Sequence, residues 1–116
     1  MLKKLTRFFT KKESETAVRR RLAEKLNDMH FGYITEKAAD GNDIIIGRDG
    51  HLNLIGEKKE QLCATCGVKT LFRLEVSQMR IWEFMSLDGC VITFTDLESG
   101  AERTVNVYYD KHLERR

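Results

Sequence analysis

At Phe31 the spacing of apolar residues changes from that of a helix to that of a strand, and it does not change back before Tyr109. A period of two puts alternate side chains on opposite faces of an extended chain, so these residues ask for a sheet with one buried face. Phe31-Gly-Tyr-Ile-Thr-Glu reads as the first strand, the β-branched run Asp43-Ile-Ile-Ile-Gly as the second, and Leu52 and Leu54 alternate in a third. Val68, Thr70, Phe72, Leu74 and Val76 alternate with Lys69, Arg73 and Glu75. Strands at Met79–Ser86, Cys90–Thr95 and Thr104–Tyr109 complete the series; in the first of these, Ile81 and Met85 are assigned to one face and Trp82 and Phe84 to the other. Asp40-Gly41, Asp49-Gly50, Asp88-Gly89 and Glu98-Ser-Gly100 are the turn signals, and residues 57–61 form a charged loop. Short turns join antiparallel neighbours, because a parallel pair needs a long crossover. The chain of 116 residues has no proline, in keeping with tight hairpins.

Ahead of this region lies one helix. Thr10 and Glu13 have the spacing of a capping box, and Val18, Leu22, Leu26 and Met29 recur at helical spacing with help from Ala17 and Ala23. The expected helix spans residues 13–30, with Gly32 as its left-handed terminator. Leu2, Leu5, Phe8 and Phe9 share one side of a separate basic arm, residues 1–12, and residues 111–116 form a charged tail. The fold class is therefore α+β: an N-terminal amphipathic helix packed on a curved antiparallel sheet of six or seven strands, the curvature extending to a small, partly closed barrel. One domain, residues 13–110, should bury Val18, Leu22, Leu26 and Met29 against Ile45, Leu54, Phe72, Leu74, Ile81, Ile92, Val105 and Val107. By element order alone the pattern is similar to pleckstrin-homology-like barrels, which end in a helix, and to the helix-on-sheet arrangement of cystatin-like folds. Neither likeness transfers a residue.

Charge divides the chain. The net charge is +2, yet residues 1–25 carry nine Lys/Arg against three Asp/Glu, and the remainder eleven against fifteen. A basic arm on an acidic body can meet an anionic partner or dock on its own chain. The three cysteines cannot all pair within one chain, and MLKKLTRFFTKK lacks the apolar stretch of a signal peptide, so a reducing cytoplasm is the expected compartment. No apolar run approaches the roughly 20 residues of a membrane helix.

Chemistry finds little support. Cys63-Ala-Thr-Cys66-Gly67 has the spacing of a zinc knuckle, but a closed site needs four ligands and no second pair follows. The remaining candidate ligands, Cys90, His51, His112 and His30, are all scattered, and Cys63, Cys66, Cys90 and His51 converge only if the hairpins place them together; the expectation is no metal and no cofactor. A thioredoxin-like role would need the motif at a helix start after a strand. None of Ser14, Ser77, Ser86 and Ser99 lies in a nucleophile elbow, and no glycine-rich phosphate loop is present. No catalytic residue is assigned. Arg19, Arg20 and Arg21 could grip phosphates, but consecutive helical residues fan out by about 100° each, so nucleic acid is not the expected partner. The arm is short for membrane-surface binding, which ranks as the weakest functional alternative. Trp82, Phe84 and Tyr108 carry the main hint: aromatics on the outer face of a one-sided sheet point to a closed barrel, a covering layer or a binding surface. The expected function is a non-catalytic interaction or assembly module working by protein contact or self-association, through a sheet edge or this aromatic face. The alternative is a small ligand-binding domain or enzyme with an aromatic-lined pocket.

Overall fold

Alternating residues make the strands, and three irregularities in that alternation bend the sheet they form. The computed structural model describes residues 16–110: helix α1 (16–26), then β1 (Met29–Lys37), β2 (Asp43–Ile55), β3 (Gln61–Cys66), β4 (Lys69–Glu75), a 3₁₀ turn (Val76–Gln78), β5 (Arg80–Glu83), β6 (Gly89–Thr95) and β7 (Glu102–Tyr109). The seven strands form one antiparallel sheet in the order β4-β3-β2-β1-β7-β6-β5, with β4 and β5 at its open edges. Two meanders, β1–β4 and β5–β7, are thus joined where β1 lies beside β7. Register shifts occur on both sides of β1, at Phe31/Tyr33 against β7 and at Ile34/Thr35 against β2, and again at Ala64/Thr65 between β3 and β4. An extra residue in one strand bends it and increases its twist. The sheet curls until β4 meets the β6–β7 turn: the Leu97 N–H donates to the Arg73 carbonyl at 2.8 Å, and the Phe72 and Phe94 rings lie 4.7 Å apart. The two edges do not pair, so the barrel stays open.

The concave face is the core. Phe31, Ile34, Leu52, Leu62, Phe72, Leu74, Ile92, Val105 and Val107 are buried in it. Helix α1 stops one end, with Leu22, Ala23 and Leu26 buried. Arg19 donates to the Ser77 carbonyl, Arg20 to that of Lys59, and the Leu54 N–H donates to Asn27 Oδ1 at 2.8 Å. Lys25 pairs with Glu83 on β5. At the other end Arg103 reaches inward from β7, over Phe72 and Phe94. Its guanidinium bridges Glu36 and Asp96 and donates to the Leu71 carbonyl.

Several expectations need correction. The helix ends at residue 26, and Asp28, with φ 64°, is the left-handed residue that stops it; Gly32 and Met29 belong to β1. Asp49-Gly50 is no turn, because β2 runs unbroken from Asp43 to Ile55. Gly50 is there for space: a Cβ would sit 2.2 Å from the Thr65 carbonyl oxygen and 2.5 Å from Phe31 Cζ. Ile45 is 46% exposed: Ile46 is the extra residue of β2 at the slip opposite Ile34/Thr35 and packs against the core, and Ile45 faces outward opposite Thr35. Val68 sits in the tight β3–β4 turn and Met85 beyond the end of β5, and both are fully exposed. The expected capping box, the basic arm and the charged tail lie outside the described residues.

Candidate functional site

One row of residues crosses five strands on the convex face: Trp82 on β5, Val91 on β6, Asn106 on β7, Thr35 on β1 and Ile45 on β2, each opposite the next in register. Register fixes the face. Cys90 and Ile92 flank Val91 and are buried on the concave side, as Val105 and Val107 are around Asn106. None of the five is charged. Trp82 is 52% exposed; Thr35, walled in by its larger neighbours, accepts a hydrogen bond from Asn106 Nδ2 at 3.3 Å.

The neighbouring row adds aromatic surface. Tyr33 and Tyr108 stand opposite one another on β1 and β7 and stack at 4.4 Å with their planes 16° apart. Phe84 tilts against Tyr108 at 5.3 Å. Of the residues expected from sequence, Phe84 and Tyr108 are therefore in contact, and Trp82 lies on the same face two residues before Phe84. Sequence reasoning missed Tyr33 and Ile45. Simple alternation puts Tyr33 on the same face as Phe31, but the shift at Gly32 leaves Phe31 inside and turns Tyr33 out. The rim of the face carries both signs, with Lys37, Arg48 and Arg80 against Asp43 and Glu102, all exposed.

The arginine run does not form a patch. Arg19 and Arg20 are committed to backbone carbonyls, Arg20 also pairs with Glu24 at 3.3 Å, and Arg21 points elsewhere on the helix into solvent. Beside them a depression of about 220 Å³ is lined by Arg19, Arg20 and Lys58 together with Glu60 and Glu75, and holds no aromatic ring.

The cysteine set does not converge. Cys63 stands between Asn53 and Arg73 on the outer face, while Cys66 packs on the core and donates to the Arg48 carbonyl. Three strands lie between β3 and Cys90 on β6, which is sealed in the core, where burial pushes its thiol up to about 12. Burial also raises the Cys63 thiol, against an opposing pull from Arg73. His51 is exposed and lies edge-on to the His30 ring at 4.9 Å. The zinc-knuckle spacing thus falls on a strand, where residues three apart face opposite ways. Among the described residues no helix is long and apolar enough to cross a membrane. A scan against family models, a search of curated proteins and a search of solved structures each find no match.

Proposed function

We propose that the protein is a non-catalytic assembly module that pairs with a second copy of itself through the uncharged aromatic row of its convex face, which ends at Trp82. The uncharged row from Trp82 to Ile45, extended by Tyr33, Tyr108 and Phe84, is the observation that carries this reading. Exposed aromatic surface of this kind is costly to leave in water, and tryptophan and tyrosine dominate the energetics of protein contacts. A second copy suits the charges as well. The centre brings no like charges together across a two-fold axis, and a rim holding both signs can pair with itself. The aromatics lie on an open face, not around a cavity, which favours docking over a small-molecule pocket.

Sedimentation velocity over a concentration series tests the proposal. Trp82 is the only tryptophan, so its fluorescence reports on the same event. The expected result is a concentration-dependent dimer, with Trp82 emission moving to shorter wavelength as it forms. Trp82→Arg should weaken it by roughly 30-fold or more, the scale of losing a large aromatic anchor. A chain that stays monomeric at hundreds of micromolar, or a dimer indifferent to this exposed substitution, overturns the reading.

A further inference from the structure

Three strands that are neighbours in the sheet bring an imidazole and two carboxylates to one place. His30 stands near the start of β1, Asp49 within β2, and Asp110 directly after β7, and their ligand atoms all lie within 4.8 Å of one another. From these residues we propose a divalent metal site at His30, Asp49 and Asp110, one that takes a first-row ion of the manganese-to-zinc series.

Backbone irregularity assembles the cluster. Asp49 has φ 53°, a left-handed residue inside a strand, and it lies beside the register shift at Gly32. Asp and Asn tolerate this conformation better than other residues with side chains, and an unbroken strand has no need of it. The Asp110 N–H meets the His30 carbonyl at 3.4 Å, so Asp110 is tied to β1. The Nδ1 of His30 is shut off from solvent and lies 2.8 Å from Asp110 Oδ2, yet that approach lacks hydrogen-bond geometry. Two ligands of one cation stand in this relation. With metal–ligand bonds of about 2.1 Å, donors of one ion lie roughly 3.0 to 4.2 Å apart, so binding requires the His30–Asp110 pair to open by a few tenths of an ångström and the exposed Asp49 carboxylate to turn inward.

The donor set selects the ion class. One imidazole nitrogen and two carboxylate oxygens suit borderline divalent metals, whereas calcium asks for six to eight oxygens and soft cuprous ion for sulfur. Two carboxylates and a neutral imidazole balance the charge of a dication. Asp49 is exposed while His30 and Asp110 are half-buried, so the site opens to water on the Asp49 side and leaves positions for solvent or a further ligand. The exposed His51 ring lies edge-on to the imidazole, 4.9 Å between centroids.

Equilibrium dialysis of the full chain against Co²⁺, with the visible and near-ultraviolet spectrum recorded, tests the assignment and separates it from the cysteines. The expected result is one ion per chain with no thiolate charge-transfer band. Asp49→Asn, which keeps a residue suited to the left-handed backbone, and Asp110→Asn should each weaken binding by at least about tenfold, since even outer partners of a metal ligand are worth 10–100-fold. Melting curves without metal should leave Asp49→Asn close to the parent, which keeps the test valid if Asp110→Asn folds poorly. Absence of uptake, a thiolate band, or affinity unchanged in Asp49→Asn overturns the proposal.

Discussion

Replacing Arg103 by alanine should be among the most destabilising changes to a polar side chain of this protein. The guanidinium donates to Glu36 Oε2 at 2.9 Å and Oε1 at 2.7 Å, to Asp96 Oδ2 at 3.0 Å and to the Leu71 carbonyl at 3.1 Å. Side-chain exposure is 18% for Arg103, 21% for Glu36 and 4% for Asp96. Removing one partner of a buried pair costs about 3–5 kcal/mol, because the other charge is left uncompensated. Two features place this case near the lower end. Glu36 can reach water, and Asp96 keeps the N–H groups of Arg73 and Glu98 and the Ser99 hydroxyl. About 3 kcal/mol is therefore expected at neutral pH, with Arg103→Lys losing less because it retains the charge but not the fork. The loss should depend on pH. Burial alone would raise the Asp96 carboxyl, but the hydrogen bonds from Glu98, Arg103, Arg73 and Ser99 outweigh it and hold the group below its ordinary value. Such a group stabilises the fold above its unfolded pKa, about 3.9, and the contribution fades as pH falls through the lower folded value. In Arg103→Ala the orphaned carboxylates are relieved by protonation, so the gap between parent and variant should narrow below about pH 4. Urea unfolding at pH 7 and pH 3 measures both. A loss under about 1 kcal/mol at pH 7, or a gap of the same size at both pH values, refutes this account of the network.

Gly50→Ala should be destabilising by about 1–3 kcal/mol although Gly50 lies inside a strand, because the added methyl meets the Thr65 backbone and the buried Phe31 ring; a thermal melt within a degree of the parent would show that the strands part easily there. Stability should also fall in alkali. Cys90 is held up to about 12 by burial, so its contribution is intact below the ordinary value of 9.0 and is lost as pH rises toward 12, up to about 4 kcal/mol in all. Burial raises Tyr109 in the same sense. Cys90→Ala should show a shallower alkaline slope in urea midpoints, and an unchanged slope would exclude the thiol as the cause.

The legible part of this protein is what alternation and helical spacing can express. Leu22, Leu26, Leu54, Phe72, Leu74, Ile92, Val105 and Val107 are buried as the pattern requires, and the α+β class follows from it. The expected site aromatics Phe84 and Tyr108 are in contact for the same reason: period two holds along β7, and along β5 as far as Phe84, which follows its last residue. Errors collect where the period slips. An extra residue reverses every side chain beyond it, and sequence offers no marker of the slip that differs from an ordinary glycine or isoleucine. Tyr33 and Ile45 were thereby hidden from the candidate face, and Asp49-Gly50 passed for a turn because that dipeptide usually is one.

The same slips explain why this sheet can hold a charged network inside it. Past the irregularity in β1, Glu36 stands opposite Val105 on the row that points into the core, a place where alternation alone would call for a hydrophobe. An isolated carboxylate there would be costly. It is tolerated because the sheet curls far enough for β7 to present Arg103, and for the β6–β7 turn to bring Asp96, to the same end of the core. Arg103 in turn holds the Leu71 carbonyl of the edge strand β4, so the bond that satisfies the charges also fastens the edge that pairing leaves open. Curvature and charge are therefore coupled: flattening the sheet would strand two carboxylates, and losing Arg103 would release β4. Hydrogen exchange in Arg103→Ala should accordingly rise first in β4 and leave β6 and β7 protected, whereas a uniform rise across the sheet would mean that the network stabilises the fold without fastening its edge.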